Sequence, residues 1–169
     1  MHINSQFSWL QAGLKIIMKS NFNLINNLEF HKSCTGNHYF NNLRALYIGA
    51  SIFKINSIEQ LLHLEIKKQL IHLTKEDFFL REGSSHYHFL FIRWVLEIYF
   101  FAIFSRDDSL SKIIEIYLIK LIDRVNFFNV IYQDNINFPL IGDISPDFDP
   151  NWLKNIPYIL NKEDSIINN

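Results

Sequence analysis

The stretch from Tyr87 to Phe104 carries apolar side chains on almost every side, and this constrains the whole chain. A helix that is apolar all round has no face to give to water, so other helices must surround it or it must enter a bilayer. It approaches the roughly 20 residues that a bilayer span needs. Arg93 and Glu97 lie inside it, one helical turn apart, where a bilayer would make each charge costly. The expectation is the central helix of a soluble helical domain, with no membrane span. Tyr87, Phe91, Trp94, Ile98 and Phe101 form its main stripe, and Ser84 or Ser85 can cap its start.

Flanking segments supply partners for that helix. Phe7, Leu10, Leu14 and Ile17 recur about one turn apart, which predicts an amphipathic helix over residues 5–19. A weaker helix is expected over 21–30, and small and polar residues then break the pattern at 32–36. Asn37 is the expected N-cap of the next helix, whose stripe is Tyr39, Leu43, Leu46, Ala50 and Phe53. Ser57 is a second candidate cap, before Ile58, Leu62, Ile66 and Leu73, with Glu65, Lys67 and Lys68 on the opposite face. The short gap between these two helices predicts an antiparallel αα-hairpin. Residues 74–83 read as a polar connection, and Ser105 to Ser109 as the close of the apolar helix. A further helix runs from Leu110 to about Phe128, with Ile113, Tyr117, Leu121 and Val125 inward.

From Gln133 onward Pro139, Gly142, Pro146 and Pro150 break any long helix, leaving Phe138, Phe148 and Trp152 as anchors of a looped tail. No segment alternates with a strand period. The fold class is therefore all-α, built of antiparallel helical hairpins over residues 1–132, with an irregular tail over 133–169.

Composition narrows the function. With 169 residues, 49% hydrophobic and 20% charged, the chain can bury one real core. A net charge of -1 gives no pull toward nucleic acid. Cys34 is the sole cysteine, so no internal disulfide can form. Gln11, Lys15 and Lys19 interrupt the N-terminal apolar residues, which makes a poor signal peptide and leaves periplasm and cytoplasm both open.

Polar groups gather at two helix starts, Gly36-Asn37-His38-Tyr39 and Glu82-Gly83-Ser84-Ser85-His86-Tyr87-His88. Taken singly each residue has an ordinary reading: Asn37 a cap, His38 a surface histidine, Tyr87 an amphipathic core residue, Glu82 a solvated loop charge. His86 and His88 are two apart and diverge on a helix, so no metal site is expected. Cys34 with His38 lacks an orienting partner, Ser84-Ser85 lacks a nucleophile elbow, and no glycine-rich phosphate loop occurs. His2, His31, His63 and His72 read as background. No cofactor is implied.

In combination, these segments resemble the heparinase II/III family of polysaccharide lyases, in particular an alginate-lyase-like helical domain. The resemblance lies in an Asn-His pair opening a helix and followed by an apolar run to Phe53, in Glu82-Gly83-Ser84 leading to Tyr87-His88, and in Pro139 to Trp152. It implies part of an incomplete (α/α) toroid, which in the family precedes a β-sandwich region that the chain is too short to include. It also implies β-elimination on an acidic, uronate-containing polysaccharide. By that resemblance Asn37 and His38 would neutralise the uronate carboxylate, and Tyr87 would be the general acid, or both acid and base. His88 and Glu82 would bind or orient the substrate. The shortness of the chain implies association with a separate β-sandwich chain or with itself. The rival expectation is a non-catalytic remnant, or a helical protein that binds glycan or a partner.

Overall fold

The computed structural model describes residues 3–28, 36–74, 76–128, 130–132, 135–138, 141–144 and 149–155. The architecture is mostly helical. Five long helices occur in chain order: α1 (Ile3–Asn26), α2 (Asn37–Phe53), α3 (Asn56–Leu73), α4 (Ser85–Ser105) and α5 (Asp108–Asp123). A single turn, α6 (Val125–Phe128), extends α5. A small antiparallel hairpin of β1 (Val130–Tyr132) and β2 (Asn135–Asn137) follows, pairing Val130 with Asn137 and Ile131 with Ile136. A 3-10 turn spans Pro150–Asn155.

The apolar helix is α4, and it packs against both α5 and α2. By length and composition it could cross a bilayer, yet half of its apolar window is buried inside this fold. Phe89, Phe91, Ile92, Val95, Ile98 and Ala102 are fully covered. The cover is incomplete at its far end, where Phe100, Ile103 and Phe104 stay exposed. Its internal charge is matched from outside. Arg44 of α2 reaches Glu97, which also accepts from Arg93 Nε at 3.1 Å. Such part-exposed ion pairs add little stability, and the Arg44–Glu97 contact links α2 to α4.

Two αα-hairpins make up the body. The chain turns from α2 into α3 through Lys54 and Ile55, and from α4 into α5 through Arg106 and Asp107. The first helices of the hairpins run side by side in the same direction. Asn37 at the start of α2 meets Glu82 just before α4, while Tyr47 near the end of α2 meets Ser105 at the end of α4. α3 and α5 touch at the same level, through His63 Nδ1 and Asp107 Oδ2 at 3.5 Å. The core between the hairpins includes Phe40, Tyr47, Ile66, Leu70, Ile114 and Leu118, each essentially without exposure. Phe40 and Phe91 pack ring on ring at 4.7 Å between centroids.

Several sequence expectations shift by a residue or a role. Residues 5–19 and most of 21–30 form one continuous helix, since Asn21 and Asn26 fold their amides back onto Ile17 and Phe22 carbonyls instead of breaking it. Asn37 is the first residue of α2, not its cap; Gly36 takes the cap position without a side-chain hydrogen bond. Ser57 lies inside α3, which Ile55 precedes, again with no side-chain cap. Ser84 does cap α4, accepting from the Tyr87 N–H at 3.2 Å. Asp107 caps α5, which starts two residues before the expected Leu110. The inward stripe of α5 is Leu110, Ile114, Leu118 and Leu121, with Ile113 and Tyr117 at its edge. In the tail, Phe138 and Trp152 pack against the core as expected, and Leu153 is buried. Phe148 lies outside the described residues. The β1–β2 hairpin, unsignalled by any alternation in the sequence, straddles the expected end of the helical domain at residue 132.

Lys54 and Arg106, the C-caps of α2 and α4, both hold left-handed backbone with φ of 55° and 61°. That conformation crowds Cβ and is normally given to glycine. Relief of the crowding outweighs the extra unfolded-state freedom of glycine. Lys54→Gly and Arg106→Gly should each stabilise the fold by about 0.5–1 kcal/mol, read as a higher urea midpoint at unchanged slope. A lower midpoint would mean that these side chains hold the turns.

Candidate functional site

The two polar helix starts, far apart in sequence, come together in space. Glu82 Oε2 accepts from Asn37 Nδ2 at 2.8 Å, and Oε1 from the Asn37 backbone N–H at 3.4 Å. The carboxylate therefore sits on the N-terminus of α2, where orphan N–H groups and the positive dipole end favour negative charge. Asn37 is buried, and Gly36 leaves room for a Cβ, which would make ordinary contact with Glu82 Oε1 at 3.8 Å. Glu82 is exposed as a residue, and partial desolvation of its carboxylate raises the pKa above the usual carboxylate range, against the opposing pull of the Asn37 hydrogen bonds and the His38 charge. His38, next in the chain, faces solvent.

The loop that carries Glu82 is fixed from three sides. Leu80 is buried and bridges to Thr74, and the Arg81 N–H donates to the Leu73 carbonyl at 2.9 Å. What the sequence presents as a polar connection is thus anchored by one leucine. Past Glu82, Gly83 takes φ 70° and turns the chain into the Ser84 cap. The tail clamps the same turn. The Ser85 N–H donates to the Ile141 carbonyl at 3.0 Å, the Ile141 N–H donates back to Ser85 Oγ at 2.7 Å, and the Ser84 hydroxyl donates to the Asp143 carbonyl. Gly142 lies over this clamp with φ 85°. A Cβ on it would stand 3.0 Å from the Gly83 carbonyl, so any other residue there would be both crowded and strained. Sequence reasoning missed the clamp, and Gly142 in the Pro139–Trp152 segment was its signal.

Tyr87 stands on the first turn of α4, half-buried against the core, with its ring edge-on to His86 at 5.4 Å. His88 points elsewhere. Its Nδ1 accepts from the Leu80 N–H at 3.4 Å, and its Nε2 lies 3.2 Å from the Leu121 carbonyl. This fits the neutral ring protonated on Nε2. Phe79, Phe89 and Phe128 surround the ring. With both nitrogens held by main chain and 1% exposure, His88 ties the Glu82 loop to α5 and orients it from below. The structure thus brings Asn37, His38 and Glu82 to one place, puts Tyr87 on the turn that follows Glu82, and sends His88 into the core.

A second polar cluster lies at the other end of the same helices. The Tyr47 hydroxyl donates to Asp107 Oδ2 at 3.4 Å and neighbours Ser105, and burial pushes its pKa up to about 12. His63, which reads as background in the sequence, belongs to this cluster through Asp107. No spacing in the chain links these residues; parallel packing of α2 and α4 does. Among the described residues no three His, Cys, Asp or Glu side chains converge as metal ligands would. Cys34 lies outside the described residues.

No family model matches the chain, nor does any curated protein or solved structure.

Desolvation depresses the His88 pKa to about 4 from 6.5. Between those values the unfolded state takes the extra proton, so stability falls as pH falls through that window. The expected loss between pH 7 and 4 is about 3 kcal/mol, at 1.36 kcal/mol per unit. Chemical denaturation of wild type and His88→Gln across that range checks it. The variant is less stable at pH 7 but lacks this share of the slope, and parallel curves would refute the assignment.

Proposed function

We propose that the chain is the helical part of a polysaccharide lyase of heparinase II/III type, acting on an acidic, uronate-containing polysaccharide by β-elimination. The observation that carries this reading is the Glu82–Asn37 pair. It joins the two motif segments of the resemblance across a sequence separation of 45 residues, at the N-termini of two adjacent parallel helices. Two stacked αα-hairpins whose first helices run parallel are also what a segment of an (α/α) toroid requires, and they support that finer architecture.

The chemistry follows from the groups at that end. Removing the C5 proton of a uronate throws charge into its carboxylate, which must be met by donors. Asn37 keeps one amide N–H beyond the one given to Glu82, His38 is exposed alongside, and both helix N-termini add positive potential. The C5–H electrons form the C4–C5 double bond, the C4–O bond breaks, and the departing sugar oxygen takes a proton. In this reading Tyr87 supplies that proton, and in its ionised form removes the one on C5. Glu82 holds Asn37 in place, and its loop is held in turn by His88 and the Ser85–Ile141 clamp.

The test is release of unsaturated uronate, followed by ultraviolet absorbance, from a panel of alginate, pectate and glycosaminoglycans. The purified chain is assayed alone and with a β-sandwich chain of such a lyase. Tyr87→Phe should lower the rate at least about 10²-fold, the usual weight of an acid–base group, with the melting temperature unchanged. No product from either mixture on the whole panel would sink the reading.

A second reading, a non-catalytic glycan- or partner-binding protein, is favoured by the outward face of α3. Leu61, Leu64 and Ile71 are each more than half exposed there, an apolar surface of the kind that marks association. Sedimentation of the purified chain separates the two. A monodisperse monomer with lyase activity rejects the second reading, whereas an inactive oligomer that Leu61→Glu/Leu64→Glu dissolves favours it.

A further inference from the structure

We propose that the cavity at the opposite end of α2 and α4 binds one hexuronic acid unit of an acidic oligosaccharide, at a site separate from the Asn37–Glu82 pair. The cavity, about 490 Å³, lies where the last turns of α2 and α4 meet the first turn of α3. That volume falls in the range of small-ligand sites, roughly 300–1,000 Å³. With 17 residues in α2 rising about 1.5 Å each, it stands about 25 Å from Asn37.

Three kinds of group line it. Lys54 and Arg106 bring two cations, each from a left-handed C-cap position that a glycine would occupy with less strain. Glu59 brings a carboxylate oxygen with no hydrogen-bond partner, and Ser51, only 2% exposed, brings a hydroxyl whose one neighbour is a weakly aligned Tyr47 hydroxyl. Oxygens without a well-formed hydrogen bond gain from a donor that reaches them. Phe104 is 66% exposed and offers an apolar ring face at the edge.

A hexuronate answers all three. Its carboxylate meets Lys54 and Arg106, its hydroxyls donate to Glu59 and Ser51, and the C–H face of its ring lies on Phe104. Inorganic phosphate would meet the cations but bring more negative charge beside Glu59 and few donors for the two oxygens. A neutral hexose would satisfy the oxygens and leave the cations unmatched. The assignment rests on this cavity alone and does not need the chain to be a lyase.

Saturation-transfer NMR on the full chain, at fixed ionic strength, compares sodium glucuronate, glucose and sodium phosphate. Glucuronate should bind saturably and at least tenfold more tightly than either control. The Lys54→Gly/Arg106→Gly double variant should lose tenfold or more of that affinity without melting lower. If it does melt lower, Phe104→Ser at the exposed ring carries the test, with a severalfold loss expected. Tyr87→Phe should bind as wild type does, so a failed β-elimination assay leaves this result standing. Absence of saturable glucuronate binding, equal binding of phosphate, or affinity that survives both the double variant and Phe104→Ser would overturn the proposal. So would loss of binding in Tyr87→Phe.

Discussion

The rest of this structure depends on keeping α4 out of water. Twenty-one residues with little polar face leave the hydrophobic effect one economical solution, a helix flanked on two sides by others. α5 covers one side by folding back after Arg106, and α2 covers another by lying parallel. α3 then closes over the junction. The single acidic residue inside the apolar run, Glu97, does not disturb this, because Arg44 of α2 and Arg93 of α4 both reach it.

Parallel packing of α2 and α4 has a chemical consequence. Two helix N-termini lie at one end of the pair and two C-termini at the other, so the ends differ in potential. The N-terminal end holds a carboxylate on a backbone N–H, an amide, and an exposed imidazole. The C-terminal end holds two cations on left-handed caps, a buried hydroxyl and a buried carboxylate oxygen. The charged groups of both sets are open to solvent, while Asn37 and Ser51 beneath them are buried. Beneath the N-terminal end, the neutral His88 ring substitutes for a backbone partner twice, once for Leu80 and once for Leu121. A buried polar side chain is tolerable only when satisfied in this way.

The legibility of the sequence differed between elements for physical reasons. α2 was plain because Tyr39, Leu43, Leu46 and Ala50 sit on one narrow face, and the structure buries all four. α5 was plain in extent but read slightly out of phase, since isoleucines on neighbouring faces make several stripes almost equally apolar. Caps were harder. Asn37 and Ser57 have the right chemistry for capping, but Asn37 was drawn to Glu82, a partner 45 residues away that no local preference can weigh. The buried Leu80, the Ser85–Ile141 clamp and the Tyr47–Asp107–His63 cluster share that origin, each joining segments that only packing makes neighbours.

By itself the sequence determined that the chain is mostly helical, where its helices lie to within a few residues, and that an apolar helix stands at the centre. It did so because those properties follow from side-chain period and composition, which are local. Only the tertiary structure decided that α2 and α4 run parallel, that Glu82 rests on the start of α2, that His88 faces the core while Tyr87 stays at the edge, and that two cations share a cavity at the far end. Those are matters of which face meets which, and the free energy that selects them comes from contacts between residues distant in the chain.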